Sequence, residues 1–566
     1  MLLIVKLFNA PQKYLGHKFE NLRDFLISAV IGIFSFVYIT GGKILNTSST
    51  EWLFGVDSDT NYIGWQFFRR TPILQFPIGN SPNLGTGFAS SIVYSDSIPL
   101  LAIPFKFLNF LLPNDFQYFG LWVLVCFVLQ AFFAFRLLEH WLSEPISAHL
   151  ASVFFVIAPC YLFQLSAGAF GHLALCGQFL ILWAAHLLMQ ARHCNRTWLL
   201  LCAVSIIVHV YLFSMVFVLF AVSVASHSRT KSQASLNLIK QFVLQICLVV
   251  AVSMGTFWVV GGFESKGSDG GDAYVGATLT TFMDPKVSVH GYSWSSIVPD
   301  ISSGGGLVEN ISFLGLATLL LLPFALAFII KNFRSLNVHK VGLIIAALVL
   351  FAFSLSPNIW VASRKLVSYE PPLILAQILQ SFRTVDRYSW VLVYVLMTVS
   401  FAAICFFVRK TNLRVALLLV LLGVQFFDMR TAISETRERF TTSSYQSPLI
   451  SPLWKQLGSE YKRLETVPPL NFDPHWFDFA LYADTWGLST NAAGLARVSS
   501  EEFAALVAEQ QAQINNFNFR PDTLYVLTNY PPNPMSEEIL RKFGTHNFYQ
   551  PGLRATEIDG FVIIAP

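Results

Sequence analysis

The chain has 566 residues, 54% of them hydrophobic and only 12% charged, whereas an ordinary soluble domain is about 25% charged. Its mean hydropathy is +0.55, so a soluble globular fold is excluded. The net charge is +4, and the basic residues lie in short clusters between apolar segments, so nucleic acid is not an expected partner. The seven cysteines lie in or beside apolar segments and form no readable disulfide framework or thiolate metal site.

Apolar segments near the length that crosses a hydrocarbon core, about 20 residues, recur from residue 25 to residue 428. They predict an α-helical polytopic membrane protein with about eleven spans, placed at 25–42, 116–139, 148–165, 170–190, 198–209, 212–225, 237–260, 311–330, 341–356, 388–408 and 413–428. The segment 98–113 is also apolar, but Pro99, Pro104 and Lys106 make it a poor span. We expect it to lie along the membrane interface.

The distribution of Lys and Arg orients these spans. The loops after the second, fourth, sixth, eighth and tenth spans carry twelve basic residues in roughly 50 positions, whereas the opposite loops carry six over a much longer length. This assignment requires residues 198–225 to form a hairpin that turns near His209. By the positive-inside rule, we expect a cytoplasmic N-terminus and a C-terminal domain on the outer side.

Three long stretches remain on the outer side, at 45–115, 261–310 and 357–387. Long loops in a compact domain usually carry a function. The third stretch contains residues 371–382, which are mostly apolar and too few to span a bilayer. They predict a re-entrant or interfacial helix.

The composition turns polar from Arg430 onward. Helical patterns near 450–462 and 499–516 alternate with strand-like segments at Leu524–Thr528 and Phe561–Ala565. We therefore divide the chain into a transmembrane domain, 1–428, and an extracytoplasmic α/β domain, 429–566.

Two aspartates, Asp57 and Asp59, follow the first span closely. Carboxylates held near a bilayer surface can act as a general base toward an acceptor hydroxyl, or as ligands of a hard cation such as Mg²⁺ or Mn²⁺. The alternative is that both are solvated loop charges. Residue type and spacing leave both interpretations open.

Arg383 and Arg387 are four residues apart, so they share a face if this segment is helical. Two guanidinium groups beside the tenth span are suited to bidentate binding of a lipid-linked phosphate. Snorkelling to the interface, or pairing with Asp386 and Glu370, is the alternative.

Other candidate residues lie on the same predicted side. The second outer stretch is rich in glycine and ends at Glu309. Such a composition is typical of a mobile flap over a donor, and equally of a plain linker. The single histidines His172, His209 and His290 are positioned to contact a phosphate or a sugar. An isolated histidine at a helix end is nevertheless more often structural.

Four short stretches carry a family resemblance: Gly64–Arg69, Ser90–Leu100, Phe116–Trp122 and Phe382–Arg387. With the acidic first outer loop, the juxtamembrane segment and the trailing exported domain, they make the membrane part similar to the GT-C superfamily of membrane glycosyltransferases, and to bacterial polytopic proteins of that type. The resemblance covers most of the membrane part and little of 430–566. It implies a location in the bacterial cytoplasmic (inner) membrane, with the C-terminal domain periplasmic or extracellular.

The resemblance also implies a reaction: transfer of a sugar from a polyprenyl-phosphate donor to an extracytoplasmic glycan, lipid or protein, with inversion at the anomeric carbon. Asp57 or Asp59 then either deprotonates the acceptor or orients it through a bound divalent cation. The cations implied to neutralise the donor phosphate are Arg383, Arg387, Lys106 and Arg69. Further candidates are Asp96, His290 and Glu309, and membrane lipids are the remaining expected partners.

Two alternatives belong to other functional classes. A transporter of lipid-linked saccharides would need ionisable groups at mid-membrane and inverted repeats, whereas the polar residues in these spans are mainly glutamines. A polysaccharide polymerase or an acyltransferase would need arginine pairs or a membrane histidine acting as base. Release of polyprenyl phosphate from a sugar-loaded carrier distinguishes these classes.

Overall fold

The computed structural model describes residues 12–142, 144–166, 171–190, 193–229, 235–265, 276–286, 293–301, 311–382, 384–441, 445–516, 518–528 and 554–566. Its apolar part contains helices α1 to α15 and one β-hairpin, β1–β2. Their bounds are α1 Gln12–Thr40, α2 Ser58–Arg69, α3 Pro99–Phe107, α4 Phe119–Leu138, α5 Pro145–Val156, α6 Pro159–Leu162, α7 Phe179–Met189, α8 Asn195–Val208, α9 Val210–Arg229, α10 Ser235–Val259, α11 Leu316–Asn332, α12 Val338–Ser354, β1 Asn358–Val361, β2 Arg364–Ser368, α13 Leu373–Gln380, α14 Trp390–Phe407 and α15 Thr411–Asp428.

An apolar helix lies at each of the eleven predicted positions. Within the described ranges, seven helices are long and apolar enough to cross a bilayer: α1, α4, α9, α10, α11, α14 and α15. The pair α5–α6 passes the same test together but is bent by 44°, because Pro159 has no N–H with which to continue the helix. The remaining three, Leu173–Met189, α8 and α12, are shorter.

The predicted hairpin turn near His209 is confirmed. His209 has an extended backbone, with φ −166° and ψ 137°, and it separates α8 from α9. His172 similarly precedes the 3₁₀ turn Leu173–Gln178, which leads into α7. Each helix break therefore leaves a histidine at a helix end.

The outer helices of the bundle expose large apolar side chains. Phe34 of α1 is 69% exposed, Leu244 of α10 is 68% exposed, and Val420 of α15 is 63% exposed. The central helix α14 is instead mostly buried. An apolar surface of this extent requires lipid around it rather than water.

The predicted interfacial segments form short helices. Residues 98–113 contain α3 followed by a 3₁₀ turn, Asn109–Leu111. The expected re-entrant segment contains α13, on which Leu373 and Ile374 are each 73% exposed. Exposed apolar side chains on so short a helix suit an interface between lipid and water.

The C-terminal part is an α/β unit, as the sequence predicts. Its five-stranded sheet has the order β4-β3-β5-β7-β6, with β4, β3 and β5 parallel and the other pairs antiparallel. The bounds are α16 Arg430–Thr441, α17 Leu453–Glu460, β3 Arg463–Val467, α18 Trp476–Trp486, β4 Ser489–Thr490, α19 Ser500–Asn515, β5 Thr523–Leu527, β6 Arg554–Ile558 and β7 Phe561–Ala565.

This sheet packs on the first long loop of the apolar part. The Thr86 N–H donates to the Thr490 carbonyl at 2.8 Å, and the Thr490 N–H donates to the Asn83 carbonyl at 3.0 Å. The Arg70 guanidinium lies 3.0 Å from the Asp484 carboxylate of α18. Helix α2, buried along its whole length, lies beneath α18.

Asp484 makes this packing sensitive to pH. Burial raises the pKa of Asp484 to about 6, although Arg70 and Arg69 act in the opposite direction. Because this pKa lies above the ordinary value, the stability that Asp484 contributes is present at low pH and lost as pH rises through about 6. We expect α2 and α18 to be better protected from hydrogen exchange at pH 5 than at pH 7.5, after correction for intrinsic exchange rates.

The Asp484→Asn variant provides the comparison, because it keeps the shape of the side chain and removes its titration. Its protection of α2 and α18 should be the same at both pH values. A pH dependence of equal size in the variant would contradict the assignment to Asp484.

Candidate active site

A cavity of about 770 Å³ lies between the apolar helices, the first long loop and the C-terminal sheet. This volume is in the range of small-molecule binding sites. Its apolar lining residues include Ile206 and Ile207 from α8, Phe257 from α10 and Phe382 after α13. Its polar residues are Asp57, Asp59, Asn61, Asp96, His172, His209, Arg387 and Arg497.

Asp57, His172 and Arg387 form a line along one wall. His172 Nδ1 lies 3.6 Å from Asp57 Oδ2, and the Asp57 side chain is 38% exposed to the cavity. Arg387 Nη2 approaches His172 Nε2 at 3.5 Å, and its guanidinium lies 4.7 Å from the centroid of the Tyr211 ring. With a proton on Nδ1, the histidine links the carboxylate to the guanidinium.

Asp96 and His209 form a second acid–histidine pair. His209 Nε2 lies 3.7 Å from Asp96 Oδ1, and the Asp96 side chain keeps 37% of its surface accessible from the cavity. Protein nevertheless surrounds the carboxyl, and this burial raises the pKa of Asp96 to about 7, with Arg387 lowering it and Asp57 raising it further. A carboxyl with such a pKa can accept a proton at neutral pH.

The backbone around Asp96 is held in an uncommon conformation. Asp96 has φ +49°, which few residues other than glycine adopt. The Asn61 side-chain amide donates to the carbonyls of Ser95 and Asp96 at 3.1 and 3.0 Å. Gly64 permits this approach of α2, because a β-carbon there would overlap the Ser95 and Ser97 hydroxyls. The stretch Gly64–Arg69 thus helps to place Asp96.

Asp59 lines the cavity from the first turn of α2 and is 8% exposed. Burial raises the pKa of Asp59 well above its usual range, and the nearby charge of Asp57 adds to the effect. The backbone N–H of Thr60 and the charge of Arg439 oppose it without reversing it. Asp59 is therefore harder to ionise than an ordinary aspartate.

Arg439 of α16 joins the segments that carry Asp57 and His172. Its Nη2 donates to the Ser58 hydroxyl at 2.8 Å, and its Nη1 donates to the Leu165 carbonyl at 2.5 Å. Gly171 has φ +70°, and a β-carbon there would overlap the Arg439 guanidinium. One side chain thus contacts the residues next to both members of the Asp57–His172 pair.

Arg69 and Lys106 lie outside this cavity lining and are held by protein groups. Arg69 donates to the side chain of Asn109 at 2.6 Å and to the carbonyls of Pro113 and Asn114 at 2.8 and 2.9 Å. The Lys106 ammonium donates to the Thr71 hydroxyl at 2.5 Å and lies 4.2 Å from the Phe68 ring centroid. Three other predicted site residues, Arg383, His290 and Glu309, lie outside the described residues.

Asp57 and Asp59 are the residues predicted to bind Mg²⁺ or Mn²⁺. No three His, Cys, Asp or Glu side chains converge to hold a metal ion in the part of the chain that the structure describes. Hard cations bind ionised carboxylates, and the raised pKa of Asp59 disfavours its ionised form. No step proposed below passes through a metal ion.

The sequence offers His172 and His209 only as isolated histidines that could contact a phosphate or a sugar, and it gives no reason to name Arg439. Each histidine is isolated in the sequence, and only the fold brings it opposite an aspartate from the first long loop. The one available signal is that both histidines lie at ends of apolar segments on the same predicted side. Arg439 carries no signal, because its partners lie far away in the sequence.

These features define a polytopic helical protein of largely apolar surface, in which a C-terminal α/β domain and the helical part share one polar cavity. The chain belongs to the DUF6311 family: residues 29–430 match the domain described as "Domain of unknown function (DUF6311)", and residues 453–566 match the DUF6311 C-terminal domain. No curated protein matches the chain.

Two solved structures are similar at low identity. The oligosaccharyltransferase AglB from Archaeoglobus fulgidus, in complex with an inhibitory peptide and a dolichol-phosphate, is 11% identical, covering 90% of this chain and 69% of that chain, with a TM-score of 0.44. The Archaeoglobus fulgidus oligosaccharyltransferase in the apo form is 10% identical, covering 89% and 69%, with a TM-score of 0.45. Scores at this level do not by themselves establish a shared fold.

Proposed function

We propose that this protein is a membrane glycosyltransferase of GT-C type, with eleven spans, that moves a sugar from a polyprenyl-phosphate donor to an extracytoplasmic acceptor. The observation that carries the proposal is the cavity itself. Two carboxylates, each beside a histidine, and one buried arginine face it where apolar helices end. A donor with an anionic head and an apolar tail matches a cavity lined by both charged and apolar side chains.

The reaction balances with groups of this chain. The acceptor hydroxyl gives its proton to Asp96, and its oxygen forms a bond to the anomeric carbon of the donor sugar. The bond between that carbon and the phosphate oxygen breaks, and its electron pair leaves on the phosphate. Attack opposite the leaving group inverts the anomeric configuration. We assign the base to Asp96 because its pKa of about 7 suits proton transfer near neutral pH.

Arg387 is the group that we assign to the leaving phosphate. A lipid phosphate is a stable anion, so it needs a cation rather than a proton donor as it leaves. Asp57 holds His172, which in turn lies against Arg387, so these two residues orient the guanidinium. Arg69 and Lys106, which donate to protein groups, have no part in this proposal.

The location follows from the same proposal. We place the protein in the bacterial cytoplasmic membrane, with the N-terminus in the cytoplasm and the domain 429–566 outside. The donor tail then lies in the bilayer beside Ile206, Ile207 and Phe257, and the acceptor reaches the cavity from the outer side. The acceptor belongs to the glycans, lipids or proteins of the cell envelope.

A direct assay tests the proposed activity. Purified protein in lipid nanodiscs is incubated with sugar-loaded polyprenyl phosphate and an envelope extract as acceptor source, and released polyprenyl phosphate is measured by mass spectrometry. We expect release by the wild-type protein together with a product of inverted configuration. Movement of intact donor across the bilayer without release would indicate a transporter instead.

Arg439 gives a prediction about positioning. Arg439→Lys keeps the charge but loses the planar fork whose two nitrogens reach Ser58 and Leu165 separately, so the Asp57–His172 pair should lose its alignment. We expect kcat to fall about a hundredfold, the effect of a misplacement of roughly 1 Å, while the KM for the acceptor changes little. Added guanidinium should restore part of the rate in Arg439→Ala.

The matched control for Arg439 is Arg437→Lys. Arg437 lies on the same helix but donates to the Tyr38 carbonyl from an exposed position, so its replacement should leave kcat unchanged. Equal losses in the two variants, or no rescue by guanidinium, would show that α16 contributes general stability and not the alignment of this pair.

A further inference from the structure

The C-terminal sheet turns one edge toward the cavity. Strands β4, β3 and β5 are parallel, so the loops that follow β3 and β4 leave from the same edge. These two loops supply Phe472, Ala496 and Arg497 to the cavity lining, and the first residue of α18, Trp476, adds to them. In open α/β sheets, the carboxyl edge of parallel strands is the usual place for a ligand.

The loop after β3 and the loop after β4 are joined by hydrogen bonds. The Leu495 N–H donates to the Asn471 side-chain oxygen at 2.8 Å, and the Asn471 amide donates back to the Leu495 carbonyl at 3.2 Å. The Phe472 N–H also donates to the Ala493 carbonyl at 3.2 Å. The edge is thus a preformed surface and not a pair of independent loops.

The loop after β3 holds an aromatic side chain in a strained position. Phe472 has φ +64°, a conformation that a bulky residue rarely adopts. Its side chain remains 42% exposed, and its ring lies 6.0 Å from the ring of Trp476. Residues in strained backbone conformations cluster at active sites and ligand clamps.

Arg497 brings a cation to the same edge. Its Nη2 donates to the Ser381 carbonyl at 2.6 Å, which ties the C-terminal domain to the end of α13. The adjacent Ala496 N–H donates to the Tyr94 carbonyl at 2.7 Å, close to Asp96 in the sequence. A guanidinium offers five N–H donors, so a single carbonyl does not exhaust it.

We infer that this edge, formed by Phe472, Trp476 and Arg497, binds the acceptor, and that the acceptor is a saccharide. One sugar ring lies with its apolar face on Phe472, and its hydroxyl or carboxylate oxygens accept hydrogen bonds from Arg497. This inference rests on the proposed function. A cation beside one exposed aromatic ring favours a saccharide, because a lipid acceptor would need a continuous apolar surface instead.

The test measures binding without donor. Full-length protein in nanodiscs is applied to a glycan array of neutral and uronic-acid oligosaccharides, and the strongest ligand is titrated by calorimetry. We expect the wild-type protein to bind at least one saccharide. Phe472→Gly, which tolerates the backbone conformation at this position, and Arg497→Gln should each weaken binding about tenfold, as loss of a central contact does.

Three further variants make the result specific. Phe472→Tyr keeps an aromatic ring and should retain binding. Arg463→Gln, at the opposite edge of the same sheet, and Ile450→Gly, an exposed apolar position of the same domain, should bind like wild type. If no saccharide on the array binds, or if Phe472→Gly and Arg497→Gln bind as well as the controls, the inference is overturned. Failure of the proposed function is seen separately, as absence of polyprenyl phosphate release by the wild-type protein.

Discussion

Replacing Asp96 with asparagine should lower the rate of sugar transfer about a thousandfold, the contribution typical of a positioned general base. Asparagine keeps the size of the side chain but cannot accept the proton of the acceptor hydroxyl. In the wild type, kcat/KM should rise with pH to a plateau above about 7, because the carboxyl must be ionised and its pKa is about 7. The residual activity of Asp96→Asn should lack this rise.

Asp115→Asn is the matched control for Asp96. Asp115 lies in the same loop and accepts a hydrogen bond from Ser48 at an exposed position, away from the cavity lining. Its replacement should leave both the rate and the pH profile unchanged. A wild-type profile without a limb near pH 7, or a limb that persists in Asp96→Asn, would assign the base to a different residue.

Replacing Arg387 with glutamine should lower kcat by about a hundred- to a thousandfold. Losses of this size are typical when an enzyme loses one preorganised group that stabilises developing negative charge. The charge on the leaving phosphate grows in the transition state, so the effect should fall on kcat more than on donor binding. Arg387→Lys keeps a charge but loses the planar fork, and should recover only part of the rate. Single-turnover measurement of polyprenyl phosphate release separates this step from product dissociation.

Arg364→Gln is the control for the loss of a positive charge, because Arg364 lies in the same outer stretch as Arg387, residues 357–387. Arg364 lies on the exposed strand β2, so its replacement should leave kcat unchanged. Because Arg387 is buried, thermal unfolding of each variant must accompany the assay. A folded Arg387→Gln protein with wild-type kcat would remove the phosphate-binding role.

The apolar helices could be predicted from the sequence because the signal is local. A run of apolar residues specifies a spanning helix wherever it lies, and the turn at His209 follows from charge bias alone. Helix α2 gives no such signal, since six of its twelve residues are polar and four are aromatic. It is buried because α18, from the far end of the chain, packs on it.

The candidate site was less accessible to sequence reasoning. Asp57 and Asp59 are equivalent in the sequence, but the fold leaves Asp57 open to the cavity and buries Asp59 in α2. Asp96 has no distinguishing neighbour in the sequence, and its raised pKa arises from burial by distant segments. Which carboxylate faces which histidine depends on helix packing, and a single sequence carries no record of it.

A structure of the protein with bound polyprenyl phosphate tests the central claim most directly. Cryo-electron microscopy in nanodiscs should show the phosphate within hydrogen-bonding distance of Arg387. The prenyl chain should leave the cavity past Ile206 and Phe257. A phosphate bound elsewhere, with the cavity beside Asp57 and Asp96 holding no lipid headgroup, would contradict the account.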